Sequence, residues 1–563
     1  MTTSAFYLDR LRTLLGDPLE DDHPFSFATA VKADLDGDSL DLQATALVES
    51  GFIRQIIPAH WKTGGELVDL EAVLEMARLL AGRNPSLMPR LMYSIGAITV
   101  LDLAGTEAQR KILSDWLLAG HSVALAVNEP GIRSDLINNQ TKADRQGDWY
   151  VINGRKWLVG QAEKARALMV MAKTGAGGPA AFSLFLIDRQ PQWESTLPHP
   201  RAELSGMRGI DVADVDIDVA CVNVANRVGG EGEGIELVFR AESVIKLLSI
   251  GAMLGPCESA LRLTYGEIAK QANGGHPHQH FLLAGAYADY RIMDSVAKAA
   301  ARFASFRPQH FPVAAAVAKQ IAQEFSSRIF TSLMAALGAR SVLAQEPVSA
   351  ILQKLRRDGE VAQYMDINPQ VNLGMLANQL PSLTKRRTKL EPGLADALFA
   401  QLQAELSPSS PCPAMVLAKV PMLNRAGEPL TDLLPGLAER FANAATEQDR
   451  AVVEALHQAE ARFASLEEGM AELLALRQGE RPEAVNAGAQ FARLYAVSCC
   501  ALSALAEGGD ALLPFMLQRL LLAGDRYAFG GEDRFYQAAW HRLAEAMGAG
   551  EDVYGDERRH AAV

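Results

Sequence analysis

Cysteine is scarce in this sequence, and basic residues are outnumbered by acidic ones. Its 563 residues include five cysteines, an odd number without a CxxC pair, which argues against a disulfide framework and against a zinc site. Lysine and arginine total 54 against 67 acidic residues, and the formal net charge is −13. This acidic surplus excludes a typical nucleic-acid-binding surface and disfavours an anionic membrane surface. We therefore expect reduced cysteines and no metal, nucleic-acid or membrane partner.

Long apolar segments are also lacking. The N-terminal stretch is charged throughout and has no apolar segment typical of a signal peptide, and no uninterrupted apolar run approaches the roughly 20 residues of a membrane span. Hydrophobic residues nevertheless make up 49% of the chain and charged residues 21%, which excludes an intrinsically disordered protein. The sequence predicts a large, soluble, cytoplasmic protein of three or four domains, at roughly 150 residues per domain.

The pattern of apolar residues predicts four regions, with boundaries at 1–120, 121–228, 229–392 and 393–563. The first is helical: apolar residues recur at three- and four-residue spacing after Asp69 until Gly82 ends the run, and Thr106 is a predicted N-cap. The second contains short β-rich segments, with GAGG at 175–178 as a hairpin loop. No GxGxxG opens a helix after a strand, so a Rossmann domain is unsupported. The third and fourth regions are helical, with a proline- and serine-rich connection, SPSSPCP, at 407–413.

Three ordered motifs identify a family. The first is ALAVNEPGIRSDLINNQTKADRQGDWYVINGRKW, from Ala124 to Trp157, the second is SGMRGIDVADVDIDVACV, and the third is GEGEGIELVFRAESVIKLLSIGAMLG at 230–255. Together they resemble the acyl-CoA dehydrogenase superfamily of flavoproteins over roughly residues 5 to 390. The resemblance implies an α+β multidomain fold: an N-terminal helical domain, a middle β-barrel-like domain and a C-terminal helical bundle. Here a further helical extension follows.

The resemblance implies an FAD-dependent oxidoreductase that acts on an acyl thioester. In the family a carboxylate base removes the proton α to the thioester carbonyl while hydride leaves the β-carbon for the flavin. The segment LRRDGEVAQYMDINPQV places Asp366 where the family usually has Glu, and Arg357 and Asp358 fit an R-D pair that precedes the base. Aspartate is one methylene shorter than glutamate, and a misplacement of about 1 Å can cost roughly 100-fold in rate. The alternative is that Asp366 is an exposed acid at a helix end.

The same comparison implies contacts to flavin and substrate. Lys246 falls where the family often carries Arg beside the substrate, and the alternative is a solvated helix lysine. Ser134 fits a position that serves both flavin and substrate, and Trp157 or Leu158 would shield the flavin ring. The predicted cofactor-binding residues are Leu125, Val127, Asn128, Ser134, Trp157, Leu158, Gly160 and Gly338.

Other motifs of the family are weakened, so further alternatives stay open. The family's R-x-x-F-G is absent from YGEIAKQANGGHPHQHF, and Gly338 is what MAALGAR retains of a glycine-rich pyrophosphate motif. One alternative is a flavin oxidase or monooxygenase that acts on a nitro or N-hydroxy compound with an Asp base. Another is a non-catalytic assembly subunit. The alternating His276, His278 and His280 suggest a metal only if they lie on a strand, and a polar loop is expected instead.

Expectations about partners follow from the same resemblance. The acyl group is carried by CoA or by a carrier protein, as in relatives encoded with polyketide and peptide synthetases, which implies a role in secondary metabolism. An acidic carrier would need a basic patch, for which RRDGE at 356–360 and TKRRTK at 384–389 are the candidates, although both also fit ordinary solvated helix faces. Family members bind FAD at a subunit interface, so a homodimer or homotetramer is expected.

Overall fold

The computed structural model describes residues 3–132, 135–271, 274–365, 367–385, 390–441, 446–475, 482–522 and 533–548. Within these ranges helices come first, then a block of strands, and then helices to the end. The order confirms the predicted fold class, an α+β chain with a central β region between helical parts.

The N-terminal region is helical and its helix ends show where sequence signals succeed and fail. Its α-helices are α1 (Thr3–Leu15), α2 (Phe27–Asp36), α3 (Asp41–Glu49), α4 (Leu70–Arg83), α5 (Met88–Ala104) and α6 (Glu107–Leu118). Thr106 caps α6 as predicted, in a capping box with Gln109. Gly82 does not end α4 but lies inside it, where a Cβ would come within 3.2 Å of Ser259 Oγ on a later helix. The glycine is thus required for close helix packing rather than as a helix stop.

The β region forms one sheet. Its strands are β1 (Val123–Ala126), β2 (Lys142–Gln146), β3 (Trp149–Gly160), β4 (Ala167–Lys173), β5 (Phe182–Asp188), β6 (Thr196–Pro198), β7 (Val212–Asn223) and β8 (Arg227–Val228). They lie in the order β6-β7-β3-β2-β4-β5-β8, and β1 pairs in parallel with β4. Strands β4 and β5 are antiparallel neighbours, so residues 175–178 lie in a hairpin connection as predicted. The strand β1 brings the first motif beside the helical core.

Helices make up the rest of the described chain. The C-terminal bundle contains α7 (Gly234–Ala269), α8 (Pro277–Phe306), α9 (Phe311–Leu337), α10 (Pro347–Tyr364) and α11 (Pro369–Lys385). The extension contains α12 (Pro392–Leu406), α13 (Pro429–Asp432), α14 (Glu447–Ala475), α15 (Pro482–Ala506), α16 (Leu513–Leu521) and α17 (Asp533–Gly548).

The extension packs on the bundle through buried ion pairs as well as apolar contacts. Arg519 on α16 donates to both carboxylate oxygens of Asp289 on α8, each at 2.6 Å, and Asp289 is fully buried. Arg302 on α8 donates to the carbonyl of Ser410 at 2.6 Å, in the predicted connection after α12. These contacts place the extension against α8 in the same chain.

Two helices have the length and mean hydropathy of a membrane span, although charged residues interrupt both, so neither is an uninterrupted apolar run. They are Pro85–Ala104 and Glu483–Ala506, with mean hydropathy 1.3 in each window. Of these windows, 78% and 67% lie buried inside the protein. Their apolar character is accounted for by packing in the helical core.

Candidate active site

The turn after β1 is anchored by a buried ion pair that joins it to β3. Lys156 Nζ donates to Glu129 Oε1 at 2.8 Å and lies 3.3 Å from the carbonyl of Val127. The backbone N–H groups of Gln140 and Thr141 donate to the two oxygens of Glu129 at 2.6 and 3.0 Å. Burial lowers the pKa of Lys156 to about 8, against the opposing effect of Glu129. The predicted cofactor-binding turn therefore has a fixed backbone.

Two predicted flavin contacts meet at this turn. Trp157 donates its backbone N–H to the carbonyl of Asn128 at 2.9 Å, which brings the end of β1 beside β3. Trp157 is 37% exposed and Asn128 is exposed. Leu158 has φ of 48° and donates its N–H to Asp214 Oδ1 at 3.2 Å, within a β-bulge between Lys156 and Val159. Bulges re-aim neighbouring side chains, and positive φ at a leucine is strained backbone.

The helix α5 covers the other predicted contacts on this side of the sheet. At Gly160 a Cβ would lie 1.7 Å from Tyr93 Cε2, so the tyrosine ring occupies the space of a side chain at that position. One turn further on, a Cβ at Gly96 would lie 2.4 Å from Leu125 Cδ1. Sequence analysis missed Tyr93. Nothing in the sequence around Gly160 indicates which helix packs on it.

A small cleft with a cavity volume of about 50 Å³ lies beside this contact. Its lining includes Ser94 and Gln161, which directly follow Tyr93 and Gly160 in the chain.

The helix α7 contributes a buried lysine, Lys246. It is 2% exposed, its Nζ lies 3.7 Å from Met375 Sδ, and burial lowers its pKa. Lys246 is therefore not the solvated helix lysine of the alternative reading. One turn away, Glu242 has a carboxylate oxygen that is closed to solvent and has no hydrogen-bond partner in the described chain, and burial raises its pKa. Sequence analysis did not single out Glu242.

Some of the predicted residues and basic patches lie outside the described residues, and others have structural contacts instead. Asp366 and Ser134 lie outside the described residues, as do positions 386–389 of the basic TKRRTK segment. The R-D pair is structural: Arg357 donates to Asp34 at 2.6 Å, and Asp358 is buried and accepts the N–H of Met207 at 2.5 Å. Since Arg356 also pairs with Glu360, the RRDGE segment offers no unpaired arginine.

Gly338 and the histidines lie at the ends of bundle helices. Gly338 ends α9 with φ of 61° and has open space around the position of a Cβ. The polar-loop prediction is wrong for His278 and His280, because α8 begins at Pro277 and His276 is its N-cap. The His280 ring stacks on Trp540 of α17 at 3.9 Å. Among the described residues no group of three or more His, Cys, Asp or Glu could hold a metal.

Comparison with known proteins finds two family models in the chain. The acyl-CoA dehydrogenase middle domain matches residues 124–219, and the acyl-CoA dehydrogenase C-terminal domain matches residues 232–364. Mitochondrial isovaleryl-CoA dehydrogenase from Pongo abelii is 28% identical over 40% of this chain and 54% of its own length. The 3-sulfinopropanoyl-CoA desulfinase of Advenella mimigardefordensis is 24% identical over 58% of this chain and 84% of its own. The chain spans about half the length of the first curated relatives that it matches.

Solved structures agree on the fold. Butyryl-CoA dehydrogenase from Megasphaera elsdenii aligns with a TM-score of 0.60 at 19% identity, over 66% of this chain and 96% of that one. The prolyl acyl carrier protein oxidase AnaB aligns with a TM-score of 0.60 at 19% identity, over 68% and 99%. The part of this chain beyond those alignments includes about a third of its length.

Proposed function

Because this chain belongs to the acyl-CoA dehydrogenase superfamily, we propose that it is a flavin-dependent oxidoreductase that acts on the CH–CH group of an acyl thioester. The observation that carries the proposal is the meeting of the two predicted flavin segments. The turn after β1 and the bulge of β3 are joined by the Trp157–Asn128 hydrogen bond and by the buried Glu129–Lys156 pair.

The residues at this junction fit a flavin ring. The exposed face of Trp157 and the half-buried side chains of Leu125, Val127 and Leu158 supply apolar surface, and the amide of Asn128 can hydrogen-bond in either direction. Several backbone groups are already used, among them the carbonyls of Val127 and Asn128, so side chains would carry more of the recognition. When bound, FAD would take up the hydride that leaves the β-carbon of the substrate.

We assign the role of the base that removes the substrate's α-proton to Asp366. Its carboxylate would remove the α-proton of the acyl thioester, and Lys246 on α7 would lie on the substrate side with its buried charge. Lys246 is buried, and one carboxylate oxygen of the half-buried Glu242 is closed to solvent, which supports a desolvated setting for proton abstraction from carbon. Ser134 stays in the proposal as a contact to flavin and substrate, and Gly338 as a contact to flavin through a second copy in a homodimer or homotetramer.

The acyl group of the substrate is carried either by CoA or by an acyl carrier protein. AnaB, whose fold this chain shares, acts on a prolyl group attached to an acyl carrier protein. That likeness leads us to propose a carrier-bound acyl group as well as acyl-CoA. Because the arginines of RRDGE are paired, carrier docking would depend on the TKRRTK segment at 384–389.

The first test is the absorbance of the purified protein. We expect a yellow protein with bound FAD that bleaches under anaerobic conditions when an acyl thioester is added. Bleaching by nitroalkanes and not by acyl thioesters would favour the nitro-compound oxidase. A colourless protein that takes up no FAD would overturn both enzyme functions and leave the assembly subunit. Asp366→Asn should keep FAD and lose reduction, and unchanged reduction kinetics would remove Asp366 from the mechanism.

A further inference from the structure

The helix α11 lies next to the buried Lys246. Met375 Sδ on α11 is 3.7 Å from Lys246 Nζ, and Lys246 is 2% exposed. Among the described residues this ammonium forms no ion pair. A buried charge without a partner is costly, and water enters readily when its surroundings loosen. The environment of Lys246 therefore depends on where α11 lies.

The extension approaches α11 through a glycine of α15. Gly488 is buried, and a Cβ at this position would lie 3.2 Å from the carbonyl oxygen of Leu373 and 3.7 Å from Leu376 Cβ. Leu376 itself is 0% exposed. A Cβ at 3.2 Å from an oxygen is closer than ordinary van der Waals contact, so a larger residue at position 488 would push α11 and α15 apart.

The segment of the extension between α12 and α13 makes a second contact with α11. The backbone N–H of Asn424 donates to Gln379 Oε1 at 3.2 Å, and the two residues are 2% and 7% exposed. Gln379 lies one helical turn after Met375, and its Nε2 donates to the carbonyl of Met375 at 3.4 Å. The side chain of Gln379 thus connects the extension to the turn of α11 that carries Met375.

The rest of α11 has less support from hydrogen bonds. Near its start, Asn372 Nδ2 donates to the carbonyl of Ala316 on α9 at 2.9 Å. Near its end, Pro381 lies inside the helix, and because proline has no N–H, one hydrogen bond of the helix is missing there. The two contacts with the extension fall between these positions. The extension therefore supports the middle of α11, where Met375 contacts Lys246.

We propose that the extension is a positioning element of the candidate site, which holds α11 against Lys246 and keeps water from its ammonium. Gly488 on α15 and the backbone of Asn424 are the positioning groups. The inference rests on the proposed function in one respect, that Lys246 lies on the substrate side. It assigns to the extension a part in substrate binding, although the extension itself carries no predicted site residue.

The experiment compares Gly488→Val and Gln379→Leu with wild type in the full chain. Gly469→Val is the matched control, because Gly469 is a glycine of another extension helix, α14, with open space around the position of a Cβ. A short pulse of acetic anhydride followed by mass spectrometry measures the labelling of individual lysines. Lys156, which is 0% exposed in β3, is the internal reference for global unfolding.

We expect the labelling of Lys246 to rise about tenfold or more in both test variants, because a local opening exposes it, while Lys156 stays at the wild-type level. In Gly469→Val both lysines should match wild type. Unchanged labelling of Lys246 in Gly488→Val, or an equal rise in Gly469→Val, would overturn the proposal. If Gly488→Val also labels Lys156, that variant has unfolded, and Gln379→Leu decides instead, since it removes the acceptor of Asn424 without adding bulk.

Flavin reduction by an acyl thioester supplies the functional readout. We expect Gly488→Val to raise the half-saturating substrate concentration about tenfold, while FAD content and the limiting rate constant stay within about threefold of wild type. A half-saturating concentration equal to that of wild type, despite increased labelling of Lys246, would overturn the part of the extension in substrate binding. If wild type reduces no flavin, the proposed function fails, and the labelling result still decides whether the extension shields Lys246.

Discussion

The buried pair between Glu129 and Lys156 should be essential for the turn that bears the predicted flavin contacts. In Glu129→Gln the ammonium of Lys156 stays fully buried but loses its carboxylate, and the new amide N–H₂ faces backbone N–H donors from Gln140 and Thr141. Removal of one partner from a buried ion pair costs about 3–5 kcal/mol. Glu129→Gln should therefore lower the free energy of unfolding of the β region by about that amount.

The matched changes separate the charge from the packing. Lys156→Met removes the ammonium and leaves Glu129 with its two backbone donors, so its cost should be smaller, about 2–3 kcal/mol. In the double variant no uncompensated charge remains, and the combined cost should fall short of the sum of the single costs by at least about 1 kcal/mol. Denaturant unfolding followed by tryptophan fluorescence measures this, since three tryptophans lie in the β region: Trp149, Trp157 and Trp193.

The pH dependence gives an independent check of the same pair. Burial lowers the pKa of Lys156 to about 8 from an ordinary 10.5. Between these values the unfolded chain binds more protons than the folded chain, so the stability contributed by this lysine rises as pH increases through that window. The full rise would be roughly 3 kcal/mol at 1.36 kcal/mol per pKa unit. The stability of wild type relative to Lys156→Met should therefore increase from pH 7.5 to 10. A difference that is constant over this range, together with additive single costs, would refute the reasoning.

Three further predictions follow from packing. Gly160→Ala places a methyl group 1.7 Å from the Tyr93 ring, so the free energy of unfolding measured by thermal unfolding should fall by about 1–3 kcal/mol. Most of this lost stability should return in the double variant with Tyr93→Ala. If none returns, the tyrosine ring is not the cause of the strain. Cys221 is exposed, whereas burial raises the pKa of the other four thiols. A thiol reagent should therefore react quickly with one cysteine in the native protein and with all five after denaturation. Arg519→Met leaves the carboxylate of Asp289 buried without its two donors at 2.6 Å, so the free energy of unfolding should fall by about 3–5 kcal/mol. The extension should then be cleaved faster by a protease than in wild type. Equal rates of proteolysis would show that this ion pair does not hold the extension.

The sequence was most informative where a signal is local or where a motif spans consecutive residues. Thr106 was predicted as a cap from neighbouring residues, and its capping box is present. The β region was predicted from short β-rich segments and turn residues, which act over a few positions. Gly82 shows where prediction from the sequence fails. Its role depends on contact with Ser259 on α7, which is 177 residues away in the chain. Periodicity carries no information about such an approach.

The candidate site depends on contacts of that distant kind. Tyr93 contacts Gly160 because α5 packs on the sheet. Gln323 on α9 contacts the end of α10 because the helices of the bundle fold back on one another. The family resemblance predicts Lys246 beside the substrate, which stays a prediction. The structure adds that Lys246 is buried near Glu242, whose Oε2 has no hydrogen-bond partner in the described chain. Burial of a charged residue cannot be inferred from an amphipathic pattern, because that pattern assigns charged positions to solvent.

The departures from the family differ from those expected of a site that has lost its function. Loss without replacement would leave voids or open surface where ligand-contacting side chains used to be, since nothing would select their neighbours. At Gly160 the Tyr93 ring fills the space that a side chain would occupy. Near the end of α10, Gln323 donates to the carbonyls of Gln363 and Ile367. These buried contacts favour the proposed enzyme over an assembly subunit.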